Sequence, residues 1–400
     1  MLHFPILSSE RAWVAVQDFT AEFVDCREIT ECAELDALVN TVNVQHKTKY
    51  LQVLSRHMEN DFTGYFAIVS HNGAAVAWTY IFIDGDFSFH GLLSGMADKL
   101  YRMFPIRFKT AFVSSPVAEY NAFHIKEEYR PHEEAIISAL MAQAFAFFEK
   151  KGIKLVIIRD HITRYPSEYL HKEFTHMHFM PGTFLDFECV AHGCTCFDTY
   201  LMGLKKKWRS NIRNKLNRRK EELNIEIVNA STLSKEDCVR CHELYFQTRG
   251  KQKLKHELLS KDYFCACGDE LGENCKMLIA KIGEEIIGFA QLLVNEHDVI
   301  NVRMGMDYRH NKEYNLYYHL LYENIAFCLK NKKKRLYTSQ TCYRPKLEMG
   351  AKFLTLHTYV HFTNPLLHKI FAKIFTRRCA CYTELLTTER PTEVLAMHGL

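Results

Sequence analysis

Two stretches of the chain repeat one order of elements, and that duplication restricts the fold more than any single motif does. Residues 65–84, YFAIVSHNGAAVAWTYIFID, read as two apolar-rich strands around Asn72-Gly73, a dipeptide suited to a tight hairpin turn. Residues 277–295, MLIAKIGEEIIGFAQLLVN, have the same layout, with the turn at Gly283-Glu284. Each hairpin is followed, after intervening chain, by a long amphipathic helix and a short apolar strand. These are residues 132–151 and 154–158 in the first half, and 314–331 and 335–338 in the second. Across those junctions AFAFFEKKGIKLVII and IAFCLKNKKKRLYTS align position by position. The spacing predicts two similar α/β domains, residues 1–190 and 191–400, with the boundary near residues 189–198.

A chain of 400 residues, 48% apolar with 17 glycines and nine prolines, can fill two cores and is not linker-rich or low in complexity. Its longest apolar stretch, residues 135–148, is interrupted by Gln143 and is too short for a bilayer core of about 30 Å, so no transmembrane helix is expected. The N-terminal residues lack the basic start and the cleavage site of a secretion signal, and a cytoplasmic protein is expected. In that setting the fourteen cysteines are expected as reduced, buried thiols. Cys238, Cys241, Cys265 and Cys267 could assemble a zinc site. The first pair lies in a helical pattern, however, and the second has the wrong spacing for a ribbon, so no metal is assigned.

Charge is modest in total, +4, but residues 205–220 hold nine basic residues and no acidic one. A shorter basic cluster spans residues 330–335. Such density implies an anionic partner: a phosphorylated small molecule, a nucleic acid or a membrane surface. Residues 197–222, FDTYLMGLKKKWRSNIRNKLNRRKEE, read as one helix with Asp198 as N-cap and a packed stripe of Leu201, Leu204, Trp208, Ile212 and Leu216. Lys206, Arg209 and Arg213 share one side of it, where they could track a pyrophosphate or RNA backbone; a solvated face is the plain alternative. The sequence has no phosphate-loop signature, no G-x-G-x-x-G, no G-x-S-x-G and no H-E-x-x-H. Phosphate-loop enzymes, dinucleotide oxidoreductases and serine hydrolases are thereby set aside.

The basic helix and residues 339–365, SQTCYRPKLEMGAKFLTLHTYVHFTNP, are left to carry function. In Leu204, Lys207, Arg209, Asn211, Ile212 and Arg213, and then in Tyr343, Lys346, Gly350 and Ala351, the chain resembles the Fem-like acyltransferases. These are tandem-GNAT-fold proteins that include peptidoglycan-type aminoacyl transferases and acetyltransferase relatives. The resemblance runs from about residue 184 to 365 and is architectural before that.

It implies an α/β protein of two tandem GNAT-like (acyl-CoA N-acyltransferase) domains with mixed sheets. The implied activity moves an acyl or aminoacyl group from acyl-CoA or aminoacyl-tRNA, as co-substrate and not as a tightly bound cofactor, to an amine of a small-molecule or amino-acid-derived acceptor. Such transfer needs a positioned amine, a donor for the developing oxyanion and clamps for the carrier's phosphates. Lys346 and Tyr343 are the expected catalytic pair, at the mouth of a split sheet, against the alternative of a surface lysine beside a packed tyrosine. Lys206, Lys207, Arg209 and Arg213 are expected to hold the carrier. Arg303, Trp208 and Gln340 are the expected substrate contacts. An arginine on a central strand more often meets an internal carboxylate.

One departure bears on the donor. Residues 308–314, YRHNKEY, stand where the glycine turn gripping the CoA pyrophosphate would be, and they contain no glycine. A non-catalytic nucleic-acid-binding or adaptor protein is the rival reading, although no DNA-reading fold is present and no DNA partner is expected. Residues 362–378, apolar at helical spacing with basic flanks, would allow peripheral membrane contact or simply pack on the domain.

Overall fold

The computed structural model describes residues 18–29, 33–38, 43–59, 61–88, 103, 106–115, 123–162, 167–178, 180–188, 196–217, 220–252, 257–373 and 384. Along the first half run β1 (Phe19–Asp25), α1 (Ala33–Leu38), α2 (Thr48–His57), β2 (Phe62–His71), β3 (Ala74–Ser88), β4 (Arg107–Val113), β5 (Phe123–Ile125), α3 (Glu133–Lys150), β6 (Leu155–His161), α4 (Glu168–Glu173), β7 (Thr175–Met177) and β8 (Gly182–Asp186). There follow α5 (Phe197–Met202), α6 (Lys206–Leu216), β9 (Asn224–Asn229), α7 (Lys235–Lys251), α8 (Tyr263–Leu271), β10 (Cys275–Ile282), β11 (Glu285–Val294) and β12 (Asp298–Met306). The chain closes with α9 (Tyr308–Tyr314), α10 (Leu316–Lys330), β13 (Arg335–Tyr337), α11 (Tyr343–Glu348), β14 (Lys352–Leu354) and β15 (His357–Phe362).

Both hairpins form where the turn chemistry places them. Asn72 and Gly73 have φ of 52° and 80°, and Gly283 has φ of 56°, the left-handed values a two-residue hairpin turn requires. The strands assemble into two mixed sheets ordered β1-β2-β3-β4-β6-β15-β7, with β5 on β3, and β14-β8-β13-β12-β11-β10-β9. In each, one parallel pair sits between antiparallel neighbours: β4 with β6 and β12 with β13. Two strands are exchanged. β15, from the second half, lies between β6 and β7 of the first sheet, and β8, from the first half, lies against β13 and β14 of the second. Sheet membership therefore does not follow a single cut at residue 190.

Helix α3 buries Ile136, Ile137, Leu140, Met141, Ala144 and Phe148 on one face of the first sheet. Helix α10 does the same for the second with Leu320, Leu321, Ile325 and Cys328. A third core is shared by both halves, drawing Tyr50, Leu54, Phe66 and Trp78 together with Leu244, Tyr263, Phe264 and Phe289. Burial of this much apolar surface, worth about 25 cal/mol per Å², joins the halves through a common interior.

Several sequence expectations need correction. Residues 197–222 are not one helix: α5 ends at Met202 with Gly203 as its C-cap, and α6 starts at Lys206. Arg209 donates to the Met202 and Leu204 carbonyls, 2.8 and 3.3 Å away, and so satisfies groups that the break leaves open. The N-cap of α5 is Cys196 and Asp198 stands in its first turn. The expected stripe does pack, with Leu201, Ile212 and Leu216 buried and Leu204 and Trp208 against the same cluster. The cysteines are not all free thiols, because Cys238 on α7 is disulfide-bonded to Cys265 on α8, while Cys241 and Cys267 are separate and buried. That pairing removes the four-cysteine zinc set. Among the described residues no helix is long and apolar enough to cross a membrane. Of the basic amphipathic stretch, Phe362 and Phe371 are buried and Leu366 and Ile370 exposed; residues 374–378 lie outside the described residues, as do Cys194, Cys379 and Cys381.

One acid in the first sheet sets a pH dependence. Burial pushes the Asp84 carboxyl up from 3.8 to about 6, with the Asp86 backbone hydrogen bond opposing and the Asp86 and Asp61 charges adding. The folded state keeps a proton there that the unfolded chain has released, so stability falls as pH rises from about 4 to about 6 and stays low above. Asp84→Asn is expected to stabilise the protein at about pH 8 by up to about 3 kcal/mol and to lose that gain below about pH 4. Urea unfolding at the two pH values checks it.

Candidate active site

The parallel pair of the second sheet is joined over only three residues, Asp298–Ile300 beside Arg335–Tyr337. Strand β12 continues to Met306, whereas the chain after Tyr337 turns away through residues 338–342. Ser339, Thr341 and Cys342 in that turn have φ of 58°, 63° and 47°. Left-handed backbone costs a non-glycine residue roughly 1–2 kcal/mol, so three in four residues persist only because neighbours hold them. Lys346 does much of this: it is 4% exposed, and its Nζ donates to the Ser339 and Gln340 carbonyls at 3.1 and 3.0 Å. The Thr183 hydroxyl donates to the Ser339 carbonyl at 2.6 Å, and the Ser339 hydroxyl donates to the Asn301 carbonyl at 3.2 Å. Tyr343, also buried, donates from its hydroxyl to the Pro181 carbonyl at 3.0 Å.

The first sheet opens in the same manner. Thr110–Val113 pair with Leu155–Ile158, after which Ser114 and Asp160 take φ of 130° and 57°. Gln340 links the two openings, because its side-chain amide donates to Asp160 Oδ1 at 3.2 Å and to the Met180 carbonyl at 2.9 Å. The expected substrate contact Gln340 thus lies where the two split sheets meet.

The two motifs also touch each other. Gly350, with φ of 94°, closes the turn after α11, and a Cβ there would lie 2.7 Å from Leu204 Cδ2 and 2.8 Å from the Tyr200 hydroxyl. Two residues earlier the Glu348 carboxylate accepts from Tyr318 (2.8 Å), Asn211 (3.0 Å), Lys215 (3.2 Å) and Arg344 (3.4 Å). Burial pushes this carboxyl up, but the Tyr318 and Lys215 hydrogen bonds outweigh it and the net shift is downward. Asn211 and Gly350 in the motifs therefore fasten the basic segment to α11, the helix that carries Lys346. Glu348 was missed in the sequence; as the only acid among Arg344, Lys346 and Lys352, its isolation was the available signal.

The expected carrier residues divide. Lys206, Lys207 and Arg213 are exposed on α6, while Arg209 is half-buried and committed to the end of α5. Trp208 is half-buried against the α10 core, with the Lys205 ammonium 5.2 Å from its ring centre. Arg303 is not available to a substrate. A bulge between Gln291 and Leu292 shifts the register of β12, and Arg303 joins Ile300 on the face toward the shared core. There it donates to both Glu257 oxygens (3.2 and 2.7 Å), to Tyr263 (2.6 Å), to Tyr50 (3.2 Å) and to Gln291 (3.4 Å). The internal-carboxylate alternative describes it. Cys342 is exposed at the N-cap of α11.

At the start of α9, where a pyrophosphate grip would lie, the chain supplies its own anion. Asp307 Oδ1 accepts from the Arg309 backbone amide at 3.0 Å, and the carboxylate is ion-paired with Arg309 and Arg240. The Arg309 hydrogen bond holds its carboxyl at about 2.

Among solved structures, that of FemX superposes with a TM-score of 0.53 at 10% identity, covering 88% of this chain and 100% of that one. L-PGS from Bacillus licheniformis superposes with a TM-score of 0.50 at 11% identity, covering 87% and 97%. A tandem GNAT protein from the clavulanic acid biosynthesis pathway gives 0.49 at 11% identity, covering 86% and 99%. No curated protein matches the sequence significantly. Two mixed α/β sheets with an exchanged strand each, the fold shared with FemX, are the architecture on which the motifs sit. The FemAB-like profile, described as peptidoglycan biosynthesis/recognition, matches residues 108–339, which is more than half of the sequence, and the chain belongs to that family.

Proposed function

We propose that this protein transfers an aminoacyl group from aminoacyl-tRNA to an amine of a small-molecule or amino-acid-derived acceptor, at the junction of the two split sheets. Its class, an acyltransferase, follows from the family. The observation that carries the site is the contact of the basic segment with α11 and the turn after it, through Leu204 with Gly350 and Asn211 and Lys215 with Glu348, while Lys346 of the same helix holds the turn of residues 338–342. It brings a cationic face of Lys206, Lys207 and Arg213 onto the same substructure as the strained turn. Lys346 and Tyr343 act in this reading by holding that turn, with Gln340 beside the acceptor.

The choice of donor rests on Asp307. A carboxylate already fills the hydrogen-bonding position at the start of α9, so the Arg309 backbone amide there is taken and not open to a pyrophosphate. This favours aminoacyl-tRNA over acyl-CoA. Phosphate contacts to tRNA would make binding strongly salt-dependent.

Lys206→Glu/Lys207→Glu/Arg213→Glu is the informative variant, because Arg209 is spared and the end of α5 stays satisfied. It is expected to weaken aminoacyl-tRNA binding by at least about tenfold at low salt and to flatten the salt dependence. Filter binding and transfer of a radiolabelled amino acid to hydroxylamine or a free amine would be measured together. Transfer from acetyl-CoA but not from aminoacyl-tRNA would overturn the donor assignment. Steep salt-dependent RNA binding without turnover of either donor would favour the adaptor reading instead.

A further inference from the structure

The outer edge of the first sheet gathers three imidazoles that the acyl-transfer site does not use. His176 on β7 and His178 just after it flank Met177, and so share a face of the edge strand. Thr358 pairs with Met177 and Tyr359 with His176, which sets His357 of the exchanged strand opposite His178. The three residues each offer one ring nitrogen, and these nitrogens lie within 4.8 Å of one another. His176 Nε2 and His357 Nδ1 are 2.9 Å apart. All three side chains are partly exposed, so an ion can reach them.

The surroundings suit a metal. His178 donates from Nδ1 to the Leu356 carbonyl at 3.3 Å; a carbonyl only accepts, so the proton sits on Nδ1 and the Nε2 lone pair is left for a ligand bond. A metal-bound imidazole usually donates such a hydrogen bond from its second ring nitrogen. A tetrahedral Zn²⁺ with bonds of 2.0–2.1 Å needs nitrogens about 3.3 Å apart, a distance side-chain rotation can reach from the observed spacing. Three neutral imidazoles favour zinc and its neighbours over calcium or magnesium, which prefer oxygen. The second convergent group, Glu285, Asp307 and His310, differs on this point. Arg240 and Arg309 already neutralise its carboxylates, and a cation would have to displace guanidinium groups.

We infer that His176, His178 and His357 form a zinc-type divalent metal site, with a fourth position open to water, that clamps the exchanged strand β15 to the edge strand β7. Its ligands come from both halves of the sequence, so binding ties residues 176–178 to residue 357.

The test uses the full chain stripped with a chelator and then titrated with Zn²⁺ or Co²⁺. One equivalent is expected to bind, with a rise in the thermal unfolding midpoint that grows with metal concentration and with the ligand-field bands of four-coordinate Co²⁺. X-ray absorption of the zinc-loaded chain is expected to give three imidazole nitrogens and one oxygen at about 2.0 Å. His178→Gln and His357→Gln are each expected to weaken binding by at least about 100-fold without lowering the metal-free midpoint. A sulfur-containing first shell, Co²⁺ spectra unchanged in both variants, or no binding by the wild-type chain would each overturn the assignment. The absorption measurement decides the case even if the variants fold poorly.

Discussion

Replacing Arg303 with methionine is expected to cost about 3 kcal/mol of folding stability, because it removes a buried cation with all its hydrogen bonds and leaves the half-buried Glu257 carboxylate without its partner. Arg303 is 6% exposed and stands in the core shared by the two halves. Burial opposes its charge, but Glu257 together with Tyr263 and Tyr50 outweighs this and holds it firmly protonated. Its guanidinium carbon lies 4.7 Å from the Tyr263 ring centre, so both packing and hydrogen bonding disappear with it. The loss is a large fraction of the 5–15 kcal/mol by which domains are generally stable. Tyr50 comes from α2 and Tyr263 from α8, so the hydroxyls that lose the guanidinium donor belong to both halves. Urea unfolding monitored separately by probes in each half should show a common shift to lower denaturant. Arg303→Met/Glu257→Gln should recover part of the loss, since the stranded charge is then removed as well. A single variant as stable as wild type would mean that the buried network is dispensable.

The same residue explains what the sequence could and could not disclose. Period-two alternation of Ile300, Val302, Met304 and Met306 places Arg303 on the face away from Ile300, and one bulge opposite Gln291 reverses that. Bulges insert a residue without a reliable composition signal, so period-two reading fails at them. The hairpins were legible because Asn72-Gly73 and Gly283 demand positive φ, which few residues adopt. The apolar stripe of the basic region was legible for a related reason: helical spacing is local. The break at Gly203 was not, because the capping that stabilises it comes from Arg209. Strand exchange was invisible for a stronger reason. β8 and β15 have ordinary strand sequences, and nothing local specifies which sheet each joins. Gly350 against Leu204 is a long-range contact of the same kind, seen only once both motifs are placed.

Lys346→Met tests the assignment of that lysine as a positioning residue. The substitution keeps most of the stem's volume and removes the ammonium, so the Gln340 carbonyl loses its 3.0 Å donor and the Ser339 carbonyl retains Thr183. A hydrogen bond from a charged donor contributes about 1.5–3 kcal/mol, and a carbonyl left unsatisfied in a buried site costs about 1–3 kcal/mol. A stability loss of about 2–4 kcal/mol is therefore expected. The turn would relax from its left-handed conformation, moving Gln340 away from Asp160, to which it is hydrogen-bonded at 3.2 Å. A displacement of about 1 Å at a positioned group can lower a rate on the order of 100-fold. Measured well below the variant's unfolding midpoint, kcat should fall by about that factor, while KM for the donor, which the proposed function assigns to α6, should change little. Equal weakening of KM and kcat would place Lys346 on the carrier. A folded variant with unchanged kcat would remove it from the site.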